Sequence, residues 1–132
     1  MNVEDEAQCR DFVVRCLRAL DERDYDLLAD GFAPDGVWER GQERLVGPNG
    51  VRAAMATRPP GLETQHLAMN MVIDFQSAQL AIARYTIAAY AQMPGQPYHL
   101  HGIFRATDRL TRTAEGWRFA HKAFAPAFAL QS

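Results

Sequence analysis

The hydrophobic pattern of this chain changes period near Glu63, and that change dictates the layout of the fold. Before it, apolar residues recur at helical spacing; after it, they alternate. Cys9, Val13, Cys16, Leu17 and Leu20 follow i, i+4, i+7, i+8 and i+11, which predicts one amphipathic helix from about Asp5 to Glu22. Asp24 is a suitable N-cap for a short second helix with Tyr25, Leu28, Ala29 and Phe32 facing inward. Pro34-Asp35-Gly36 reads as the turn that stops it. Val37–Arg40 and Glu43–Val46 flank Gly41-Gln42 as a hairpin. Gly47-Pro48-Asn49-Gly50 opens a third helix carrying Val51, Ala54, Met55 and Arg58, with Pro48 suited to its first turn and Pro59-Pro60-Gly61 ending it.

From Glu63 onward, strand-like runs occupy roughly 64–75, 78–92, 98–113 and 116–125, separated by short turns. Consecutive strands joined so tightly must pair antiparallel, because a parallel crossover needs a dozen residues or more. Helices followed by a meander define an α+β fold. A long twisted sheet curls, and three N-terminal helices closing its concave face leave a cone-shaped α+β barrel with a cavity. No repeat, linker or low-complexity stretch divides residues 1–132, which read as a single domain.

Composition narrows the function. Thirteen arginines and one lysine, Lys122, stand against sixteen acids, for a formal charge of −2. That balance gives no footprint for nucleic acid or an anionic membrane. Ten of the acids fall in residues 1–35, as expected of an acidic helical layer on a more basic sheet. No apolar run is long enough to span a membrane, and the acidic start is unlike a signal peptide. Cys9 and Cys16, about 10 Å apart on one helix, cannot form a disulfide, and free thiols suit a reducing cytoplasm. Glycine-rich phosphate loops, Cys-x-x-Cys pairs and serine nucleophile elbows do not occur.

The chemistry-bearing candidates are few. Alternation places His66, Ala68, Asn70 and Val72 on one face of a strand and Leu67, Met69, Met71 and Ile73 on the other, with both faces largely buried. His66 and Asn70 are then either satisfied core groups or site residues. Asp21 ends the first helix, where the macrodipole disfavours a carboxylate, and follows Leu20 at the rim of the apolar stripe. An acid there can accept an imidazole N–H and leave the other ring nitrogen as a general base. His99-x-His101 has a chelating spacing but no evident third ligand, and parity from Asp108 and Arg112 puts both histidines on the outer face unless a bulge intervenes. His121 shares parity with Trp117 and Phe119, while Asp108 and Arg112 form a structural ion pair or join the site. Trp38, Met55, Tyr90 and Phe104 belong to the core or the cavity wall, and Ile82, Ile87 and Ile103 suggest an apolar outer face that makes a homodimer.

Five segments carry a resemblance. They are Leu20–Leu28, Phe32–Trp38 with Leu45–Arg52, and His66–Asn70 with Asp108–Phe119. In order and spacing, across nearly the whole chain, they resemble the SnoaL-like group of the nuclear transport factor 2-like superfamily. The resemblance implies the same cone-shaped barrel. Among its lyases, scytalone dehydratase, hexachlorocyclohexane dehydrochlorinase and bile acid 7α-dehydratase use a strand histidine as base, supported in the last two by a helix-ending aspartate. Those roles carry over to His66 and Asp21, with Asn70 and Arg112 as substrate-holding residues and Cys16, Trp38, Met55 and Phe104 lining the substrate site.

Cys16 departs from the pattern, since those enzymes and a related steroid isomerase place a lysine or tyrosine there. A neutral thiol is a weak donor, so an electrophile must come from elsewhere, Arg112 being the candidate. Arg40 and Gly102 fall near the isomerase's carboxylate positions, which disfavours that reaction here. The implied activity is a lyase or isomerase with no cofactor and no metal, acting on a small apolar or aromatic hydroxylated or carbonyl compound. Two alternatives are a non-catalytic binder of small apolar ligands and a small structural subunit of a ring-hydroxylating dioxygenase.

Overall fold

A computed structural model describes residues 2–128. Helix α1 runs from Val3 to Asp21; Asn2 caps it by accepting the Asp5 N–H at 2.8 Å, and Glu4, Asp5 and Glu6 complement the dipole of the first turn. Its other end is a Schellman stop. Arg23 takes a left-handed φ of 61°, the Asp24 N–H reaches the Ala19 carbonyl at 2.8 Å, and the Arg23 N–H reaches Leu20 at 3.3 Å. Asp24 also caps α2 (Tyr25–Asp30), as expected from sequence.

Strand β1 (Phe32–Arg40) and β2 (Glu43–Val46) form the expected hairpin, and α3 (Gly47–Met55) begins with Pro48 in its first turn. Four strands complete the chain: β3 (Glu63–Ser77), β4 (Leu80–Gln92), β5 (His99–Thr113) and β6 (Gly116–Pro126). They join β1 and β2 in one curved sheet, ordered β2-β1-β6-β5-β4-β3. Every neighbouring pair is antiparallel except β1 with β6, which run parallel. This is the α+β cone anticipated from the period change.

Pro34-Asp35-Gly36 corrects one expectation. It lies within β1 rather than ending α2, and the register against β6 shifts between Phe32 and Val37. Proline is tolerated at such an irregularity because no ladder bond is demanded of it. Gly36 lets the strands approach, since a Cβ there would sit 2.3 Å from the Phe119 carbonyl oxygen. Phe32 consequently starts the strand instead of finishing the helix, and it packs in the core at 5.7 Å from the Trp38 ring and 5.0 Å from Phe119.

Three further bulges decide which side chains enter the cone. In β3, Asn70 and Met71 together face Tyr85; Asn70 adopts φ 56°, and inward parity passes from His66 and Ala68 to Met71 and Ile73. In β5, His101 is the extra residue between the pairs Ala89–Gly102 and Tyr90–Leu100. In β6, Ala120 is extra between Phe119 and His121, so Lys122 follows Trp117 and Phe119 into the interior.

The core joins Cys9, Val13, Leu17, Leu28, Val51 and Met55 of the helices to Leu110 and Phe119 of the sheet. At ~1.5–3 kcal/mol for each large apolar side chain buried, it anchors the helical layer to the sheet. Both thiols are free and buried. Ile82 and Ile87 are buried as well, Ile87 on the cavity side, so the expected isoleucine outer patch is not there. The exposed outer side chains are instead Leu67, Met69, Val72 and Leu100. Only the inner face of β3 is sheltered, against the expectation of two buried faces. No helix among the described residues is long and apolar enough to cross a membrane.

Candidate active site

Asp21 and His66 meet, and they meet twice. The Asp21 Oδ1 atom lies 2.5 Å from His66 Nδ1, and Oδ2 accepts the His66 backbone N–H at 2.7 Å. The helix stop makes Asp21 the final residue of α1, so its carboxylate projects across to the start of β3. Thr64, two residues before His66 on the same face, donates its hydroxyl to Asp21 Oδ1 at 2.9 Å. Arg58 in turn donates to Thr64 Oγ1 at 3.2 Å and to the Tyr25 hydroxyl at 2.9 Å. A carboxylate accepting from Nδ1–H fixes that tautomer and leaves Nε2 as the free, basic nitrogen. Both side chains are sheltered, 9% exposed for Asp21 and 18% for His66.

His66 forms part of the wall of a cavity of about 510 Å³, a size that suits a small organic ligand. Leu17 and Leu20 of α1, Ile87, Ala89 and Ala91 of β4, and Phe104 and Phe124 supply apolar surface. Trp38 also lines it, with the Arg40 guanidinium stacked 5.0 Å from its ring centroid. Burial lowers the Arg40 pKa from its ordinary value, with Glu43 opposing the shift. His99 and His101 are exposed residues that also line the cavity, because the bulge at His101 restores their inward parity. The outer-face expectation for them is therefore overturned. Their rings stand 6.4 Å apart, and His101 lies 6.1 Å from Phe104.

Lys122 is the site residue that alternation in the sequence misplaces. Counting by twos from Phe119 sends it outward, and only the extra Ala120 brings it in. It is 5% exposed and lines the cavity. Its Nζ donates to the Tyr85 hydroxyl and to Asp108 Oδ2, each at 3.0 Å, while Tyr85 donates to the same Asp108 oxygen at 2.6 Å. Asp108 is fully buried, and burial raises its pKa against the opposing pull of Lys122. Burial also lifts Tyr85 well above the usual phenol value, which keeps it a donor. The sequence signal available was that Lys122 is the sole lysine of the chain.

Four of the remaining expectations fail for identifiable reasons. Asn70 is exposed at the bulge, where its short amide tolerates the left-handed conformation, and it does not reach the cavity. Arg112 binds Asp5 at 2.7 Å and stacks 4.9 Å from the Trp117 ring centroid, which ties β5 to the start of α1 away from the cavity. Asp108 accordingly pairs with Lys122, not Arg112. Met55 is 2% exposed in the core and forms no part of the wall. Cys16 packs beneath the wall against Gly31, where a Cβ would fall 2.9 Å from its Sγ. Burial pushes the Cys16 thiol up to about 12, so it stays neutral.

Two smaller expectations also change. His121 turns outward, 3.7 Å from Glu39, and Tyr90 faces a shallow outer depression with Tyr98. Among the described residues, no cluster of three or more His, Cys, Asp or Glu side chains is placed to hold a metal ion.

The chain matches a known family over most of its length. The SnoaL-like domain profile matches residues 1–123, and the chain belongs to that family. No curated protein sequence matches the chain. Solved structures show the same fold at low identity. A hexachlorocyclohexane dehydrochlorinase from Novosphingobium barchaimii LL02 superposes with a TM-score of 0.83 at 19% identity, covering 96% of this chain and 88% of that one. An NTF2-like protein from Novosphingobium aromaticivorans gives 0.83 at 18%, covering 97% and 85%. A protein from Catenulispora acidiphila, in complex with S-DNPA, gives 0.79 at 20%, covering 93% of each chain.

Proposed function

We propose that this chain, acting as one SnoaL-like domain, is a cofactor-free lyase or isomerase for a small apolar or aromatic hydroxylated or carbonyl compound. His66 Nε2 removes a proton from a substrate carbon, and Asp21 steadies the imidazolium that results. In an elimination, the released C–H electron pair forms the new double bond and the leaving group departs with its own bonding pair. In an isomerisation, the imidazolium returns the proton to a different carbon.

The observation that carries this reading is the two-point hold of Asp21 on His66 at the wall of an apolar cavity. A histidine needed only for packing has no use for a fixed tautomer at the wall of a hollow. That one structural neighbour is named a dehydrochlorinase, and another is complexed with a small molecule, supports the same class of reaction and ligand. The exposed Leu67, Met69, Val72 and Leu100 on the outer face support a homodimer as the working form.

The test is proton exchange. Purified protein is incubated in D₂O with a panel of cyclic ketones and β-hydroxy ketones, and deuterium incorporation or alkene formation is followed by NMR. At least one compound exchanges with wild type and not with His66→Ala. Equal exchange by both proteins on every responsive compound rules out His66 as the base, and no response across the panel favours a binder.

A further inference from the structure

We infer that Arg40 is an anion-receiving group at the β1–β2 end of this cavity, and that the ligands selected carry a carboxylate. The inference rests on the small-molecule role proposed for the cavity and adds a charge to the hydroxylated or carbonyl compound named there. It asks nothing of Arg40 in the proton transfer. Strand alternation puts Trp38 and Arg40 on one face of β1, and Arg40 is the register partner of Glu43 across the hairpin. All three residues line the cavity.

An unmatched positive charge points to the ligand. Arg40, Arg105 and Arg109 are the arginines whose side chains make no hydrogen bond or ion pair among the described residues. Arg105 and Arg109 are exposed, whereas Arg40 is partly buried. Elsewhere in the same wall, Lys122 is matched by Asp108 and His66 by Asp21. Arg58 also lines the cavity, and the acceptors of its hydrogen bonds are all uncharged. They are the Leu20 carbonyl at 3.4 Å, the Tyr25 hydroxyl at 2.9 Å and the Thr64 hydroxyl at 3.2 Å. Glu43, the lining residue that carries a carboxylate, is exposed and forms no ion pair among the described residues.

The groups around the Arg40 guanidinium belong to the cavity wall. Its central carbon lies 5.0 Å from the Trp38 ring centroid, with Glu43 across the hairpin. Burial lowers its pKa, Glu43 opposes that shift and the nearby Arg58 cation adds to it. A guanidinium stays charged through such a shift. Stacking on the indole holds the guanidinium by its face and leaves the N–H edge for a planar acceptor. A carboxylate matches that edge with two parallel hydrogen bonds. Two guanidinium ions in one concave, apolar wall also focus a positive potential, which a bound anion relieves.

The register leaves room between this charge and the base. Glu39 pairs with Ala123, which sets Arg40 beside Phe124, and Phe124 pairs with Ala106 on β5. His66 pairs with Ala89, whose own partner on β5 is Gly102. Between those two rows lies the pair Ile87–Phe104, and both side chains are apolar parts of the wall. A carboxylate on Arg40 therefore sets the body of the compound along Ile87 and Phe104, with its charge remote from the carbon that faces His66. At that distance it does little to oppose the negative charge that proton removal creates.

The experiment compares 2-naphthoate with 2-naphthamide, which share their rings and differ in charge, by titration calorimetry at low salt. The proteins are wild type, Arg40→Gln, Arg40→Met, Glu43→Gln and Arg44→Gln. Arg44 is an exposed arginine of the same hairpin, 3.8 Å from Glu39 and outside the cavity wall. Wild type and Arg44→Gln bind naphthoate about tenfold or more tightly than naphthamide. Both Arg40 variants lose that preference and keep the wild-type affinity for naphthamide, which reports an intact cavity. Glu43→Gln, a change at an exposed side chain, binds naphthoate about two- to fivefold more tightly than wild type.

Equal affinity of wild type for the two probes overturns the inference, as does a preference that survives in the Arg40 variants or disappears in Arg44→Gln. A Glu43→Gln protein that binds naphthoate no more tightly than wild type also overturns it. So does failure of wild type to bind naphthoate, and binding of naphthamide in that case leaves the small-molecule reading of the cavity standing. Because only binding is measured here and the exchange test uses uncharged ketones, failure of either result leaves the other readable.

Discussion

The Asp21 carboxylate holds both the backbone and the ring of His66, with one oxygen on the backbone N–H at 2.7 Å and the other on Nδ1 at 2.5 Å. One side chain therefore sets the position of the strand and the tautomer of its imidazole together. Asp21→Asn places an amide NH₂ where one of these donors, or the Thr64 hydroxyl, needs an acceptor. Turnover is expected to fall about a hundredfold or more. Stability is expected to drop by about 1–3 kcal/mol, read from urea denaturation. A loss of less than threefold in rate, in a folded variant, would show that the acid does not support the base.

Asn70 serves the backbone and not the ligand. Asn70→Gly should leave the urea midpoint nearly unchanged, because glycine accepts φ 56° at no steric cost. Asn70→Val should cost about 1–2 kcal/mol at the same position. Neither change should alter proton exchange at saturating substrate. A selective loss of activity in the glycine variant would restore Asn70 to the site.

Arg112 ties α1 to β5 through Asp5 and through the face of Trp117. Arg112→Ala is expected to lower stability by about 1 kcal/mol and to leave the His66-dependent proton exchange within twofold of wild type. A tenfold loss of exchange without destabilisation would contradict its placement away from the cavity.

Cys16 gives the protein an alkaline limit. Its thiol is pushed from 9.0 up to about 12 by burial. Below pH 9 both folded and unfolded chains keep the proton; between 9 and 12 the unfolded chain releases it and the native one does not. Stability is thus lost as pH rises through that window, by up to about 4 kcal/mol at its far end. Urea midpoints should fall less steeply with pH for Cys16→Ala than for wild type. Equal slopes for the two proteins would mean that the thiol ionises in the native state as easily as in the unfolded chain.

The helices and strands were legible in the sequence because each rests on a local signal, whereas the acid–imidazole pair, 45 residues apart, was legible through the family resemblance. Helical spacing marked the buried stripe of α1, Asp24 marked the α2 cap, and Gly41-Gln42 marked the hairpin. What was not legible lies beyond a bulge. A single extra residue reverses every facing after it, and nothing in the alternation announces Asn70, His101 or Ala120 as that residue. Parity counting therefore sent Asn70 into the cavity and kept His99, His101 and Lys122 out of it. Arg112 failed differently: its inward parity was right, but its partner Asp5 lies 107 residues away, beyond the reach of any local pattern.

The Schellman stop at Arg23 makes the length of α1 a ruler for the chemistry. Each residue of an α-helix advances the chain by about 100° of rotation, so inserting or deleting one within α1 swings its last side chain far around the axis. A carboxylate displaced by that angle no longer faces the strand opposite. Variation among functional relatives should accordingly fall as substitutions along α1, with length changes confined to the turns between β strands.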